Sequence, residues 1–113
     1  MSYVTTGADS LWIKSQKTVN TGEEVIIDSL KLITFRSIKY IFCAYNKIED
    51  KAKSLELNII KVNNTISDSI SSTMGGLNLA LTSEKVSGDF SLKLKNNETF
   101  PVTVEFARLV LGF

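Results

Sequence analysis

From residue 23 onward, apolar and polar residues alternate with a period of two along most of the chain. Successive side chains of a strand point to opposite faces of a sheet, so this period predicts strands. Turn-forming residues separate the alternating segments at short, regular intervals, as they do in sandwiches and barrels. We therefore predict an all-β protein, an antiparallel, jelly-roll-like β-sandwich of about seven to eight strands with a short N-terminal arm.

Single segments carry additional signals. Residues 24–33 change phase at Asp28-Ser29, which predicts a bulge or a bend. Residues 65–73 are rich in Ser and Thr and predict a polar edge strand after a turn at Asn63-Asn64. Residues 52–60 contain good helix formers, but their alternation favours a strand over a helix.

The most apolar segment covers residues 37–45. Ile38, Tyr40 and Phe42 belong to one face of the predicted strand, whereas Cys43 and Tyr45 belong to the other. A strand that is apolar on both faces lies centrally in a sheet or against another subunit. Tyr40 and Tyr45 are therefore candidate contact residues, and they are also the aromatic residues that a sugar-binding site would use.

The first twenty residues lack the alternation and are polar with isolated large side chains. We interpret residues 1–20 as an N-terminal arm, with a short strand around residues 11–14, and residues 21–113 as the sandwich domain. Tyr3 and Trp12 are candidate anchors of this arm on a partner chain. The alternative for Trp12 is that it caps the core of its own domain.

Composition and charge exclude several classes of partner. Thirteen basic residues nearly cancel twelve acidic residues, giving a net charge of +1. Proteins that bind phosphates or anionic lipids concentrate Lys and Arg, so we expect neither a nucleic acid nor a membrane as partner. The start of the chain does not resemble a signal peptide, and Cys43 is the only cysteine, which suits folding in a reducing cytoplasm. Because Cys43 stands alone in an apolar strand, we expect it to be a buried small hydrophobe.

The residues needed for catalysis are scarce. The chain has no histidine, which removes the commonest general base and the commonest metal ligand. The adjacent acids Glu23-Glu24 and Glu49-Asp50 are expected to be solvated surface charges, because strand neighbours point to opposite faces. We predict no enzymatic activity, no cofactor and no metal site.

Arg36 and Arg108 are the only arginines, and each follows an aromatic residue within two positions. Arginine is favoured in interface ion pairs because its guanidinium binds a carboxylate with two parallel hydrogen bonds. Each residue is a candidate for such a contact, and the alternative is a bridge to an acid of the same chain. Phe113 follows the last predicted strand and is a candidate for packing on a neighbour.

The order of several motifs resembles a small β-sandwich domain that recurs in virion proteins of tailed bacteriophages. The motifs are Phe-Arg-Ser-Ile-Lys-Tyr at residues 35–40, Ser-Gly-Asp-Phe-Ser-Leu-Lys-Leu at residues 87–94, and Val-Thr-Val-Glu-Phe-Ala-Arg at residues 102–108. Together with Ala-Lys-Ser-Leu-Glu-Leu at residues 52–57, they extend the resemblance over residues 22–111.

The resemblance implies a structural protein of the virion, with no catalytic residues to carry over. Capsid decoration or cementing is the expected role, because the chain is short and carries an arm. The alternatives are a neck, tail or fibre-attachment component and, from another class, a carbohydrate- or receptor-binding module. We expect other virion proteins as partners, a homo-oligomer with a trimer as one form, and location in the virion after synthesis in the cytoplasm of the host bacterium.

Overall fold

Eight strands account for most of the part of the chain that the structure, a computed structural model, describes. It describes residues 12–112, and side chains from residue 15 onward. The strands are β1 Trp12–Val19, β2 Glu24–Lys31, β3 Ser37–Asn46, β4 Lys51–Val62, β5 Thr65–Gly75, β6 Leu79–Val86, β7 Asp89–Asn96 and β8 Val102–Leu111. One turn of 3-10 helix, Leu32–Thr34, connects β2 to β3.

The strands form two antiparallel sheets. The larger sheet has the order β1-β8-β3-β4-β5, and the smaller sheet has the order β2-β7-β6. Every pairing within the described residues is antiparallel. The predicted all-β, two-sheet fold is thus confirmed, and its finer description as a jelly roll stays a prediction.

The core lies between the two sheets and is built by the alternation seen in the sequence. In β3 the even-numbered positions point inward, and in β7 Phe90, Leu92 and Leu94 do the same. Two edge-to-face ring pairs, Phe35–Phe90 and Tyr40–Phe106, each have centroids 5.7 Å apart. The buried apolar residues are Val19, Leu32, Phe35, Ile38, Tyr40, Phe42, Ala44, Leu55, Leu57, Ile59, Leu77, Phe90, Leu92, Leu94, Val102, Val104 and Phe106.

Strand β1 is longer than the short strand expected around residues 11–14. It pairs with β8 from Trp12 opposite Leu109 to Val19 opposite Val102, so pairing begins well before the expected domain start at residue 21. The sequence of β1 lacks the apolar–polar alternation. Ser15, for example, stands opposite the buried Phe106 but is itself polar and exposed. Backbone pairing with β8, rather than burial of side chains, holds most of this edge strand.

Strand β2 contains the irregularity expected near Asp28. The register steps from Ile26 opposite Lys93 to Asp28 opposite Leu92, which makes Ile27 the extra residue of a β-bulge. Leu92 is buried, and residues directly opposite each other share a face. The bulge therefore turns the Asp28 side chain toward the space between the sheets.

The two strands that follow β3 are also as predicted. The segment for which a helix competed is strand β4, whose central residues Leu55, Leu57 and Ile59 are buried. The polar strand β5 forms an edge of the larger sheet and is exposed along most of its length. Asn63 in the turn between them has a φ of 57°, the left-handed conformation that Asn tolerates.

Candidate binding surface

The side of the larger sheet that faces away from the core carries exposed apolar residues. Because the even positions of β3 point inward, its odd positions point outward, and β4 and β8 contribute outward residues beside them. Ile41 is 46%, Ile60 52% and Leu111 55% exposed. We call this surface the outer sheet face and define it by Lys39, Ile41, Cys43, Glu56, Ile60, Leu109 and Leu111.

A shallow groove with a volume of about 490 Å³ crosses the outer sheet face. Its walls include Lys39, Ile60, Leu109 and Leu111, together with polar residues of β4 and β5. Lys39 Nζ lies 3.3 Å from Glu56 Oε1, and both side chains are partly exposed. The surface therefore combines exposed apolar residues with the Lys39–Glu56 ion pair, and Glu105 lies beside Cys43 on the same side of the sheet.

Cys43 also lies on the outer sheet face, which corrects an expectation. An isolated cysteine in an apolar strand is usually a buried small hydrophobe, and the sequence indicated that role. The structure instead exposes Cys43, because it occupies an odd, outward position of β3.

Tyr45, one of the candidate contact residues, lies near one end of the same sheet. Its hydroxyl donates a hydrogen bond to Oε2 of Glu105 at 3.1 Å, and Nε2 of Gln16 donates to the same oxygen at 2.8 Å. The hydrogen bond to Glu105 raises the pKa of the Tyr45 hydroxyl above its usual value. The three side chains thus form a small network across β1, β8 and β3.

A second groove, of about 520 Å³, borders this network. Tyr45, Gln16, Thr18, Lys47 and Thr103 are among its lining residues. It offers a partly exposed aromatic ring beside amide, hydroxyl and ammonium groups. Aromatic rings with nearby hydrogen-bonding groups are the chemistry that a saccharide-binding surface needs.

Tyr40 and Arg108 lie inside the domain, in a polar cluster between the sheets. Arg108 Nη1 donates to both carboxylate oxygens of Asp28, at 2.6 and 2.7 Å, and the Tyr40 hydroxyl donates to Asp28 Oδ2 at 2.7 Å. The Arg108 and Asp28 side chains are only 14% and 12% exposed. Burial raises the pKa of Tyr40, and the neighbouring Asp28 charge raises it further.

The cluster corrects the expectation that Tyr40 contacts a partner or a sugar, because its side chain is fully buried in the core. Tyr40 occupies an inward position of β3, and its ring packs against Phe106. For Arg108 the sequence left two alternatives open, and the structure contains the bridge to an acid of the same chain. The cluster joins β8 of the larger sheet to β2 of the smaller one.

The remaining candidates of the sequence analysis are placed only in part. Arg36 is exposed directly before β3, and its backbone N–H donates to Leu111 O at 2.7 Å. Tyr3 and Phe113 lie outside the described residues, and so does the side chain of Trp12. Contacts of these four residues with a partner stay predictions.

Within residues 12–112, no group of three or more potential metal-ligating side chains occurs, and no helix is long and apolar enough to cross a membrane.

Most of the carboxylates in the same part of the chain have protein partners. The acids with a hydrogen bond or an ion pair are Glu23, Asp28, Glu56, Asp68, Glu84, Asp89, Glu98 and Glu105.

Sequence reasoning missed the acid at the centre of the buried cluster and the partners of Tyr45. Asp28 was noticed only as the site of a phase change, although an acid at a predicted bulge could have suggested a side chain directed inward. Gln16 and Glu105 are far apart in sequence and meet only because β1 pairs with β8. No local pattern marks them.

Comparison with known proteins gives a likeness of fold. No protein-family model and no curated protein matches the chain. The tailspike protein of Acinetobacter phage vB_ApiP_P1 matches with a TM-score of 0.52 and 10% identity, over 100% of this chain and 24% of the tailspike. The tailspike gp49 of Acinetobacter baumannii phage Fri1, described as a capsular polysaccharide depolymerase, matches with a TM-score of 0.45 and 12% identity, over 90% of this chain and 18% of that protein.

The chain therefore spans about a fifth to a quarter of the length of the tailspikes that it matches. At such low identity, the likeness concerns fold and does not extend to activity. The chain has a two-sheet β-fold similar to one part of a phage tailspike protein.

Proposed function

We propose that this chain is a non-catalytic structural domain of a tailed-phage virion, located in the tail. One observation carries the proposal: the whole chain matches the fold of a segment of a phage tailspike. The motifs at residues 35–40 and 102–108, which resemble those of virion sandwich domains, point the same way. Other virion proteins are the proposed partners.

The character of the domain supports a structural role. The chain has no histidine, and most acids of residues 12–112 are engaged with lysine, arginine, amide or hydroxyl groups. Asp28, the most buried of the ion-paired acids, holds the two sheets together. We propose that the domain acts as a rigid unit that binds neighbours.

Capsid decoration, the role expected first, is the alternative position on the particle. The comparisons give it no support, since the similar structure with a TM-score above 0.5 is a tailspike. The tail is therefore favoured over the shell.

Copy number separates the two positions. In quantitative mass spectrometry of purified particles from the source phage, we expect far fewer copies of this chain than of the major capsid protein. Tail components are present in small numbers, whereas a decoration protein covers the shell at close to the capsid copy number. Separated tail fractions should contain the chain and head fractions should lack it, and complete absence from the particle would contradict a virion role.

A second candidate function is binding of a carbohydrate, and the groove beside Tyr45 favours it. The groove places a partly exposed aromatic ring near Gln16, Thr18 and Lys47. This arrangement suits a polar ligand with hydroxyl groups, such as a surface glycan.

A glycan array followed by calorimetry tests this second candidate. Tyr45→Ala is expected to weaken binding of any glycan hit about tenfold or more, equivalent to about 1.4 kcal/mol, because the ring is lost. Tyr45→Phe keeps the ring and serves as the matched control. An array without a signal for the unmodified protein would remove this candidate and leave the structural proposal untouched.

A further inference from the structure

We propose that copies of this chain associate with one another through the outer sheet face. The proposal goes beyond the assignment to a virion, because it names the surface and the partner, and it holds wherever the protein lies on a particle. Three features carry it: the apolar strip, the arrangement of charge, and the size of the surface.

The apolar strip is unusual for the solvent side of a sheet. One face of an antiparallel sheet is normally polar when it meets water. Here Ile41, Ile60 and Leu111 are about half exposed, and the inner residues of the same strands already fill the core. Leu109 lies between Ile41 and Leu111, and Ser37 separates Leu111 from Ile60. Contiguous exposed apolar residues with a polar rim are typical of protein contacts.

The charges on this surface favour a second copy as the partner. Lys39 and Glu56 lie side by side within the apolar strip, 3.3 Å apart. This pair is complementary to itself, since a rotated copy can place its Glu56 against Lys39 and its Lys39 against Glu56. Glu105, the acid beside Cys43 on the same side of the sheet, is engaged with Tyr45 and Gln16. A partner of strong net charge gains no such match.

The outward side of the whole five-stranded sheet, in which the outer sheet face occupies the three central strands, is large enough for a stable contact. Five strands spaced about 4.8 Å apart, with central strands rising about 3.3 Å per residue, give a face of roughly 800 Å². A standard interface buries about 800 Å² on each partner. The strand count and the ten-residue length of β3 are those of the larger sheet.

Light scattering coupled to size exclusion, over a series of protein concentrations, measures the association directly. The purified chain is expected to show a multiple of its 12.5 kDa mass. Ile41→Lys places a charge in the interface and is expected to raise the dissociation constant about tenfold or more. Ile48→Lys is the matched control, because Ile48 is 93% exposed in a loop away from this surface, and it should associate as the unmodified protein does.

Charge exchange tests the self-complementarity. Lys39→Glu and Glu56→Lys each leave two like charges on the surface, so each variant alone is expected to associate about tenfold more weakly. An equimolar mixture should restore association, because the acidic surface of one variant meets the basic surface of the other. Loss of the ion pair within one chain cannot produce this rescue, and both groups are exposed enough that folding should be little affected.

Three results would overturn the proposal. A mass of 12.5 kDa for the unmodified chain at all concentrations would assign this surface to another protein or to solvent. Association of Ile41→Lys with unchanged affinity would place the interface elsewhere. A mixture of Lys39→Glu and Glu56→Lys that associates no better than either variant alone would exclude the self-complementary arrangement.

Discussion

Replacement of Asp28 by Ala is expected to lower the free energy of unfolding by about 3–5 kcal/mol, the range found when one partner of a buried ion pair is removed. The change leaves the Arg108 guanidinium largely buried without its counter-ion, and it removes the acceptor of the Tyr40 hydroxyl. Equilibrium unfolding in urea, followed by circular dichroism, measures the effect. All variants should be compared at one protein concentration, because association adds to the apparent stability.

A second aspartate of the smaller sheet provides the matched control. Asp89 pairs with Lys31 at 3.4 Å, but these side chains are 47% and 73% exposed. Exposed pairs contribute about 0–1 kcal/mol, so Asp89→Ala should have a small effect. Equal destabilisation by Asp28→Ala and Asp89→Ala would contradict the structural role of the buried cluster.

A double replacement distinguishes the contribution of the Asp28–Arg108 ion pair from that of the packing of the two side chains. Arg108→Met alone leaves the Asp28 carboxylate buried, which is costly, whereas Asp28→Leu combined with Arg108→Met leaves no buried charge. The double variant is therefore expected to be destabilised by less than the sum of the two single replacements. Additive losses would mean that the two side chains do not act as a pair.

Asn96→Ala is the other replacement with a large expected effect, a loss of about 3 kcal/mol, since each buried polar group left without a partner costs about 1–3 kcal/mol. Asn96 is fully buried at the end of β7. Its Nδ2 donates to Val19 O at 3.1 Å and to Phe100 O at 2.9 Å, and its Oδ1 accepts from the Glu98 N–H at 2.9 Å. One side chain thereby joins the end of β1 to the connection between β7 and β8.

Asn97→Ala is the natural control for this experiment. Asn97 is the exposed neighbour of Asn96, and its backbone N–H bond to Asn78 O survives the replacement. Surface substitutions away from such features usually stay within about 0.5 kcal/mol. If Asn96→Ala were as stable as Asn97→Ala in the same urea titration, the hydrogen bonds of Asn96 would not stabilise the fold.

The successful sequence predictions concern segments whose side chains alternate between a buried core and solvent. Phe90, Leu92 and Leu94 are examples, because burial selects apolar residues at every second position and leaves a local signal. Strand β1 is the counterexample. Ser15 and Lys17 stand opposite the buried Phe106 and Val104, yet both are exposed, and pairing with β8 determines the structure there. Edge strands held by backbone bonds leave little trace in the sequence.

The candidate residues show the same limit. Alternation in β3 correctly divides Tyr40 from Tyr45, but it does not indicate which set faces the core. In the folded protein the even-numbered set faces the core, so Tyr40 is buried and Cys43 is exposed, contrary to the expectations for both residues. Arg108 and Asp28 are eighty positions apart, so their pairing depends on how the two sheets are stacked.

The sequence by itself determined the all-β class, the approximate strand boundaries, the bulge near Asp28 and the polar edge strand β5, because each depends on interactions between residues close in the chain. Only the tertiary structure decided the order of strands, the buried cluster of Tyr40, Asp28 and Arg108, and the composition of the outer sheet face. These features join residues that are distant in sequence, and their positions follow from the global packing of the two sheets rather than from any local preference.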